Sequence, residues 1–207
     1  ALISVDDHAE NSIVVASGAN MLLNEQDVDK VVEEMCEGDI LLMQLEIPIQ
    51  TVEYAARRAF EKGVKVVLNP APARSLPKEL LRYLFMITPN RIEAEMLTGI
   101  KIVNDADAER VAKEISAMGV QNIIVTLGSK GCLVREGDTS YCVDAFKVEP
   151  VDTTAAGDTF NGALCVGLAE GMNLRQAAVM ASKASSVAVT RMGAQSSIPH
   201  RKELDLN

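Results

Sequence analysis

The residues best suited to chemistry are concentrated in residues 151–163, which read Val-Asp-Thr-Thr-Ala-Ala-Gly-Asp-Thr-Phe-Asn-Gly-Ala. The pattern predicts a turn that enters a helix, because Phe160 and Leu164 fall on one helical face. N–H groups in the first turn of a helix lack intrahelical partners, and the helix dipole adds partial positive charge. Small side chains at 155–157 leave these donors open to an anion. Asp158 could then take a proton from a nucleophile while the N–H groups hold the charge of a transferring phosphoryl group.

An ordinary helix cap is the alternative interpretation of the same stretch. Asp152, Thr153 or Thr154 could be the N-cap of a helix over residues 158–170, with Asp158 placed favourably near the positive end of the dipole. The β-favouring residues 145–151 precede this turn.

Taken as a whole, residues 151–163 resemble the C-terminal signature of the ribokinase-like (PfkB) family of sugar kinases, whose core is DTxGAGD. Here residues 152–158 read DTTAAGD, with Ala155 where many members have Gly. The resemblance implies that Asp158 is the catalytic base and contacts the sugar hydroxyl. It also implies that Ala155, Ala156, Gly157 and Asp158 form the anion hole.

Asn90-Arg91-Ile92-Glu93 follows a predicted strand and opens a predicted helix. The spacing is typical of a capping box, with Asn90 at the N-cap and Glu93 at the third helical position. A Mg²⁺–phosphate site is the functional interpretation, because Mg²⁺ on nucleotide phosphates keeps several waters and needs few protein oxygens. The segment is similar to the family's N-x-x-E motif, which implies that Asn90 and Glu93 organise Mg²⁺ and phosphate through water. Both interpretations can hold together.

The segment 126–131, Thr-Leu-Gly-Ser-Lys-Gly, comes at a strand end and is typical of a β-turn with glycines at positive φ. It is neither a Walker A loop nor a dinucleotide fingerprint. It is similar to the family's T-x-G-x-x-G stretch, which implies that ATP contacts Thr126, Gly128, Ser129 and Gly131. The same resemblance places Ser182 at the border of the adenine.

Glu46 stands at the end of a predicted strand, in Gln-Leu-Glu-Ile-Pro. An exposed loop carboxylate is the ordinary interpretation. The string resembles the ribokinase-like pattern, in which this Glu faces the sugar hydroxyls. The loop 69–73, Asn-Pro-Ala-Pro-Ala, also resembles that family and is expected to shape the site without taking part in catalysis.

The loop 191–197 follows the last long helix, and a simple connecting loop is its ordinary interpretation. A matching loop in the family lies beside the anion hole and helps to bind K⁺ through carbonyl and side-chain oxygens. By motif matching, the implied ligands of the ion are Asp152, Thr154, Ala188, Arg191, Gly193 and Ser197.

The elements that must position these residues alternate between strands and helices. Helices are predicted from Asn24, over residues 49–62 up to Gly63, over 91–98, over 106–118 and over 174–190, and strands over 39–45, 64–68, 84–88, 122–127, 132–135 and 139–143. The alternation predicts an α/β fold with a mainly parallel sheet flanked by helices on both faces. Ligands of such sheets bind beyond the carboxyl ends of the strands, where Glu46, Asn69, Asn90 and Gly128 all fall. Residues 1–16 predict a β-hairpin with its turn at 7–10, which should project from the sheet.

Composition excludes several classes of function. The net charge of −9 and the aromatic content of 3% argue against nucleic acid or an anionic membrane as a partner. With two histidines near opposite ends of the 207 residues, a zinc site or a histidine-dependent triad is not expected. The four cysteines lack CxxC spacing and predict reduced core thiols in a cytoplasmic protein.

The resemblance covers residues 1–199 and implies a ribokinase-like sugar kinase that uses ATP, Mg²⁺ and K⁺, with ribose as the expected acceptor and ribose 5-phosphate as the product. Residues 1–16 are interpreted as part of the family's β lid, through which a homodimer is expected, and residues 17–207 as the α/β core. Family members carry a further N-terminal segment with a GGKGAN-like sugar motif and the first half of the lid. Both a fragment of a longer protein and a truncated gene product fit, and weak or no ribose binding is expected of residues 1–207 alone.

Two other functions share these residues. Another kinase of the family, acting on fructose, a phosphosugar or a nucleoside, would keep Asp158 and the anion hole. A catalytically inactive nucleotide-binding or assembly module would keep the ATP contacts without turnover.

Overall fold

The structure, a computed structural model, describes residues 2–5 and 11–204 as two compact units. The sheet unit comprises residues 17–128 and 132–142, and the helical unit comprises the remaining described residues. The helices are α1 (Glu25–Glu34), α2 (Ile49–Glu61), α3 (Lys78–Leu81), α4 (Arg91–Thr98), α5 (Asp105–Ala117), α6 (Ala156–Ala169) and α7 (Leu174–Ala188). The strands are β1 (Leu2–Val5), β2 (Asn11–Val14), β3 (Ile40–Met43), β4 (Lys65–Leu68), β5 (Met86–Ile87), β6 (Asn122–Thr126), β7 (Cys132–Glu136) and β8 (Thr139–Val143).

A six-stranded mixed sheet in the order β3-β4-β5-β6-β7-β8 organises the sheet unit. The strands from β3 to β6 pair in parallel, and β7 pairs antiparallel with β6, with Thr126 opposite Cys132. Val66, Leu68, Ile87 and Ile123 are fully buried in this sheet. Continuous apolar strands of this kind are typical of parallel sheets covered by helices, so the predicted α/β fold is confirmed.

Helix starts and ends follow the predicted local signals. Asn24 and Asn90 are N-caps whose side chains accept backbone N–H bonds, and each belongs to a complete capping box. Gly63 and Gly99 take positive φ values of 73° and 72° directly after α2 and α4, in the conformation that ends helices.

In the helical unit, α6 packs closely against α7. Gly167 makes this possible, because a Cβ at that position would lie 3.1 Å from the Cβ of Ala177 and 3.2 Å from the Cε of Met180. The buried side chains of Leu164, Met180 and Ala184 belong to this region.

The strands β1 and β2 form the predicted antiparallel hairpin, with Leu2 opposite Val14. The predicted turn at 7–10 lies outside the described residues, and the division into residues 1–16 and 17–207 stays a prediction.

The β-favouring residues 145–151 form no strand, and the Val151 N–H is bonded to Val189 O. Two expectations were wrong in detail. Helix α6 begins at Ala156, two residues before its predicted start. Cys36 and Cys142 are exposed, so only part of the cysteine set lies in the interior. Within the described part of the chain, no helix combines the length and apolar character that a bilayer crossing requires.

Candidate active site

The N-cap residue of the helix α6 has a backbone conformation that is unusual for any residue other than glycine. This N-cap, Ala155, takes a left-handed conformation with φ of 58° and offers no side-chain oxygen to the first turn. Gly157 and Asp158 are exposed, and a Cβ added to Gly157 would meet no atom within 4 Å. The first turn of α6 therefore contains two exposed residues, Gly157 and Asp158, with open space beside Gly157. A helix N-terminus built in this way can accept an anion beside a base.

The N-cap of α6 is Ala155 and not Asp152, Thr153 or Thr154, so this part of the helix-cap interpretation is wrong, while Asp158 does lie in the first turn of the helix. Asp152 Oδ1 accepts the N–H of Thr154 at 2.8 Å, and Oδ2 accepts the N–H of Gly193 at 2.9 Å. Asp152 is 3% exposed. The nearby Thr154 hydroxyl, with the N–H groups of Gly193 and Thr154, holds the pKa of this carboxyl below its usual value. An ionised carboxylate thus joins the turn before α6 to the loop after α7.

Helix α7 also supports the first turn of α6, through a contact that the sequence did not predict. Ser185 Oγ donates to Ala156 O at 3.0 Å, and Ala156 N donates to Thr153 O at 3.2 Å. Ser182, the predicted neighbour of the adenine, is buried on α7 one helical turn earlier. The spacing of three between Ser182 and Ser185 placed both on one face of α7, a signal that could have identified Ser185.

The residues predicted to bind K⁺ all lie in the helical unit, where hydrogen bonds join some of them to one another or to their neighbours. Arg191 N donates to Ala188 O at 3.0 Å, and the fully buried Ser197 donates through Oγ to Ala194 O at 2.7 Å. The buried hydroxyl of Thr154 lies near the Asp152 carboxylate but makes no hydrogen bond of normal geometry. A carboxylate, a hydroxyl without a well-formed bond and backbone carbonyls are the hard oxygen ligands that a monovalent cation takes, so these residues fit the implied ion.

Asn90 and Glu93 form the predicted capping box at the start of α4. Asn90 Oδ1 accepts the N–H of Glu93 at 2.9 Å, and Glu93 Oε2 accepts the N–H of Asn90 at 2.7 Å. Asn90 Nδ2 also donates to Glu93 Oε1 at 2.8 Å. Burial raises the pKa of Glu93, against the opposing effect of the Asn90 N–H. Because both carboxylate oxygens are engaged by Asn90, this pair fits a role toward Mg²⁺ that is mediated by water.

The structure brings Thr126 beside Asn90 at the carboxyl edge of the sheet. Asn90 and Thr126 form an isolated parallel bridge, and Thr126 N donates to Pro89 O at 3.0 Å. Gly128 follows β6 in an exposed position with φ of 62°, and a Cβ there would meet no atom within 4 Å. The candidate phosphate and nucleotide residues of the sheet unit therefore lie along neighbouring strand ends.

The two glycines of the segment 126–131 differ in their surroundings. In contrast to Gly128, a Cβ on Gly131 would lie 2.0 Å from Val143 O. Gly131 is thus required by packing of the backbone, while the exposed Gly128 and Ser129 can approach a ligand.

Glu46 is exposed at the carboxyl end of β3 and lines an apolar groove of about 320 Å³. Leu23 and Val28 are among the groove's other lining residues. The neighbouring Asn69, which we interpreted only as part of a loop, is buried and donates through Nδ2 to Thr88 O at 3.1 Å. Glu46 and Asn69 follow adjacent parallel strands, so they share the edge of the sheet that carries Asn90.

We expect Ala155→Gly to stabilise the protein by about 0.5–1 kcal/mol, because glycine adopts the left-handed conformation without the strain that a Cβ brings. Denaturant unfolding measures the change. Ala163→Gly, inside α6, is the matched control and should destabilise by about 1 kcal/mol. A loss of stability at both positions would contradict a strained N-cap.

Known proteins with similar sequences and structures show which family this chain belongs to. The model of the pfkB family carbohydrate kinases matches residues 1–201. A ribokinase of Haemophilus influenzae is 45% identical over 98% of this chain and 66% of its own length, and a ribokinase of Staphylococcus aureus is 40% identical over 99% of this chain and 68% of its own. The crystal structure of a Thermotoga maritima ribokinase matches 98% of this chain and 67% of its own, with a TM-score of 0.85 and 39% identity.

The structure of an Arabidopsis thaliana ribokinase complexed with ribose and ATP also matches 98% of this chain, with a TM-score of 0.86 and 30% identity, and 66% of that protein is covered. The chain thus spans about two thirds of the length of these relatives. With a family match over almost all of its residues and the family's motifs grouped at the N-terminus of α6 and the edge of the sheet, this chain belongs to the pfkB family of carbohydrate kinases.

Proposed function

We propose that the full-length protein is an ATP-dependent ribokinase, which transfers the γ-phosphoryl group of ATP to the primary hydroxyl of ribose and forms ribose 5-phosphate. The observation that carries the proposal is the start of α6, where exposed Asp158 stands beside Gly157 in a turn without a side chain at its N-cap. Relatives that are 40–45% identical carry the name ribokinase.

In the proposed mechanism, Asp158 accepts the proton of the sugar hydroxyl as that oxygen attacks the γ-phosphorus in line. The amides of residues 155, 157 and 158 stabilise the negative charge that develops on the transferring group, because they are already oriented before the reaction begins, whereas the Ala156 N–H is bonded to Thr153 O. Ser185 and Asp152 keep this turn in position through Ala156 O and Thr154 N. Glu46, at the edge of the sheet, accepts hydrogen bonds from hydroxyl groups of the sugar.

Two metal ions complete the proposal. Asn90 and Glu93 would orient the water shell of a bound Mg²⁺, which would neutralise phosphate charge. The residues that would hold K⁺ are Asp152, Thr154, Ala188, Arg191, Gly193 and Ser197. There the ion would supply positive charge near the turn that precedes α6. Thr126, Gly128, Ser129 and Gly131 contact the nucleotide, and Ser182 borders the adenine.

A substrate panel tests the reaction and the choice of sugar. We expect ADP release from ATP to depend on ribose, with a higher kcat/KM for ribose than for 2-deoxyribose, fructose, fructose 6-phosphate or adenosine. A higher kcat/KM for one of these acceptors would assign the chain to another kinase of the family. ATP binding without turnover on any acceptor would support the inactive nucleotide-binding module.

We further propose that the hairpin β1–β2 is part of a lid that joins two copies in a cytoplasmic homodimer. Leu2 and Val14 are register partners, each 70% exposed, and Val15 is 53% exposed. Apolar side chains so exposed on a two-stranded ribbon favour a protein partner. Sedimentation of the full-length protein tests this: replacing Val14 with Asp should shift a dimer to a monomer.

We expect Glu93→Gln to separate the capping role of this residue from its Mg²⁺ role. Glutamine completes a capping box as glutamate does, so α4 should keep its start. The Mg²⁺ concentration that gives half of the maximal rate should rise about tenfold, as for other groups that orient a metal's ligands. The measurement is a Mg²⁺ titration of turnover at fixed ATP.

The same substitution, Glu93→Gln, should also change how the stability of the protein depends on pH. The folded-state pKa of Glu93 is raised, so the ionised carboxylate costs stability once the pH rises above that pKa. Glu93→Gln removes this cost but leaves one Asn90 donor without its acceptor, because glutamine has one side-chain oxygen where glutamate has two. Relative to the native protein, its melting temperature should therefore be higher at pH 7 than at acidic pH. This relative gain should be lost as the pH falls below the usual glutamate pKa. Asp107→Asn, at the same position of the Asn104 box of α5, is the matched control, and its Mg²⁺ dependence should stay native. An unchanged Mg²⁺ dependence in Glu93→Gln would leave Glu93 with a structural role alone.

A further inference from the structure

Residues 198–204, here called the strap, pack against the two helices of the helical unit. Leu204 is 8% exposed and belongs to a buried cluster with Met180 and Ala184 of α7. Arg201 Nη2 lies 2.7 Å from Glu170 Oε2 at the end of α6, and Arg201 also contacts Met180 Sδ. A short 3-10 turn, Arg201–Glu203, therefore holds a fixed place against α6 and α7.

The strap also contacts the loop after α7, which carries three of the six proposed K⁺ ligands, Arg191, Gly193 and Ser197. Glu203 Oε1 lies 2.6 Å from Arg191 Nη2, and Glu203 Oε2 accepts the N–H of His200 at 2.7 Å. The Arg191 guanidinium and the Glu203 carboxylate therefore form a charge-assisted ion pair. Arg191 and Glu203 are 37% and 32% exposed, and Glu203 is fixed at its other oxygen. An ion pair with one partner fixed in advance loses less side-chain entropy than an ordinary surface pair.

The position of Arg191 decides where the following residues lie. Gly193, two residues later, donates its N–H to Asp152 Oδ2 at 2.9 Å, and its φ of 96° allows the sharp bend between them. The guanidinium of Arg191, a residue whose backbone oxygen is itself a proposed K⁺ ligand, would also repel the cation if no carboxylate neutralised it. Glu203 thus acts on the loop in two ways, by holding Arg191 in place and by cancelling its charge.

We propose that Glu203 is a positioning residue that acts through Arg191: it holds the loop 190–197 in the arrangement in which Gly193 meets Asp152, and so sets the affinity of the site for a monovalent cation. This inference rests on the K⁺ site of the proposed function. It adds the C-terminal strap, which contributes none of the predicted ligands, to the machinery that controls phosphoryl transfer.

The test uses Glu203→Gln in the full-length protein. The K⁺ concentration for half-maximal activity should rise about threefold to tenfold, as expected for the loss of one fixed ion pair beside a charged site, with kcat at saturating K⁺ within about twofold. The rise in melting temperature on adding KCl, compared with choline chloride at equal ionic strength, should require a K⁺ concentration higher by the same factor. Glu203→Asp, which keeps the charge, should recover part of the affinity.

Glu79→Gln is the matched control, because Glu79 Oε2 also pairs with an arginine, Arg82 Nη1, at 3.1 Å on an exposed surface of the sheet unit. Its K⁺ dependence should stay native. A native K⁺ dependence in Glu203→Gln, by activity and by melting, would overturn the inference.

Amide hydrogen exchange separates this failure from failure of the K⁺ site itself. The Gly193 N–H, bound to Asp152, should exchange about tenfold faster in Glu203→Gln than in the native protein, with or without K⁺. If the native protein does not respond to K⁺, the cation site is wrong, and faster exchange at Gly193 still supports the positioning of the loop. Native exchange at Gly193 would overturn the positioning role in every case.

Discussion

Asp158→Asn should lower ribose-dependent turnover about 1,000-fold while ATP binding stays within about threefold of the native value. Asparagine has the size of aspartate but cannot take a proton from the sugar hydroxyl, and loss of a general base costs about 10²–10⁴ in rate. The residual rate would come from the amides of the α6 N-terminus and from orientation of the two substrates. Steady-state ADP release with ribose, together with calorimetric titration of ATP, measures both quantities.

The substitution also removes a negative charge from the first turn of a helix. This effect alone is worth about 0.3–1 kcal/mol of stability, which is far too small to explain a thousandfold loss of rate. Asp105→Asn gives the matched control, because Asp105 is an acidic residue in the first turn of α5. It should lose a similar small amount of stability and keep full turnover. Turnover of Asp158→Asn within tenfold of the native rate would show that Asp158 is not the base.

Local signals predicted most of the sheet unit. Asparagine caps and terminal glycines define helix ends through bonds within a few residues, so Asn24, Asn90, Gly63 and Gly99 could be assigned from the sequence. Parallel pairing then brings the ends of β3 to β6 to one edge, and this is why Glu46 and the other strand-end residues could be expected there.

The start of α6 could not be predicted in the same way. It requires a left-handed conformation at Ala155, which an alanine adopts only when its surroundings impose it. Those surroundings are long-range bonds, from Gly193 to Asp152 and from Ser185 to Ala156, which join residues 29 to 41 positions apart. The ion pair of Arg191 and Glu203 was missed for a related reason, because a charged tail gives no periodic signal of what it contacts.

The other large effect should be structural: Gly131→Ala is expected to destabilise the protein by about 2–5 kcal/mol. A Cβ at Gly131 would lie 2.0 Å from Val143 O, 2.7 Å from Ala145 N and 2.8 Å from Asp144 C, all of them backbone atoms that cannot rotate away. The φ of 87° adds the cost of a left-handed conformation, about 1–2 kcal/mol, to that of the overlap, about 1–3 kcal/mol. The change in denaturation midpoint at constant m-value measures the loss.

Gly137 provides the matched control in the turn between β7 and β8. It has a φ of 57°, but a Cβ there would meet no atom within 4 Å, so Gly137→Ala should cost only the conformational part, about 1–2 kcal/mol. Equal losses at the two positions would contradict the close approach at Gly131.

Gly128→Ala completes the comparison, because its Cβ would also meet open space. A small loss of stability with a raised KM for ATP at Gly128 would assign the ligand contact to that glycine and the packing requirement to Gly131. The T-x-G-x-x-G pattern would then combine two unrelated physical demands, one from the nucleotide and one from the chain itself.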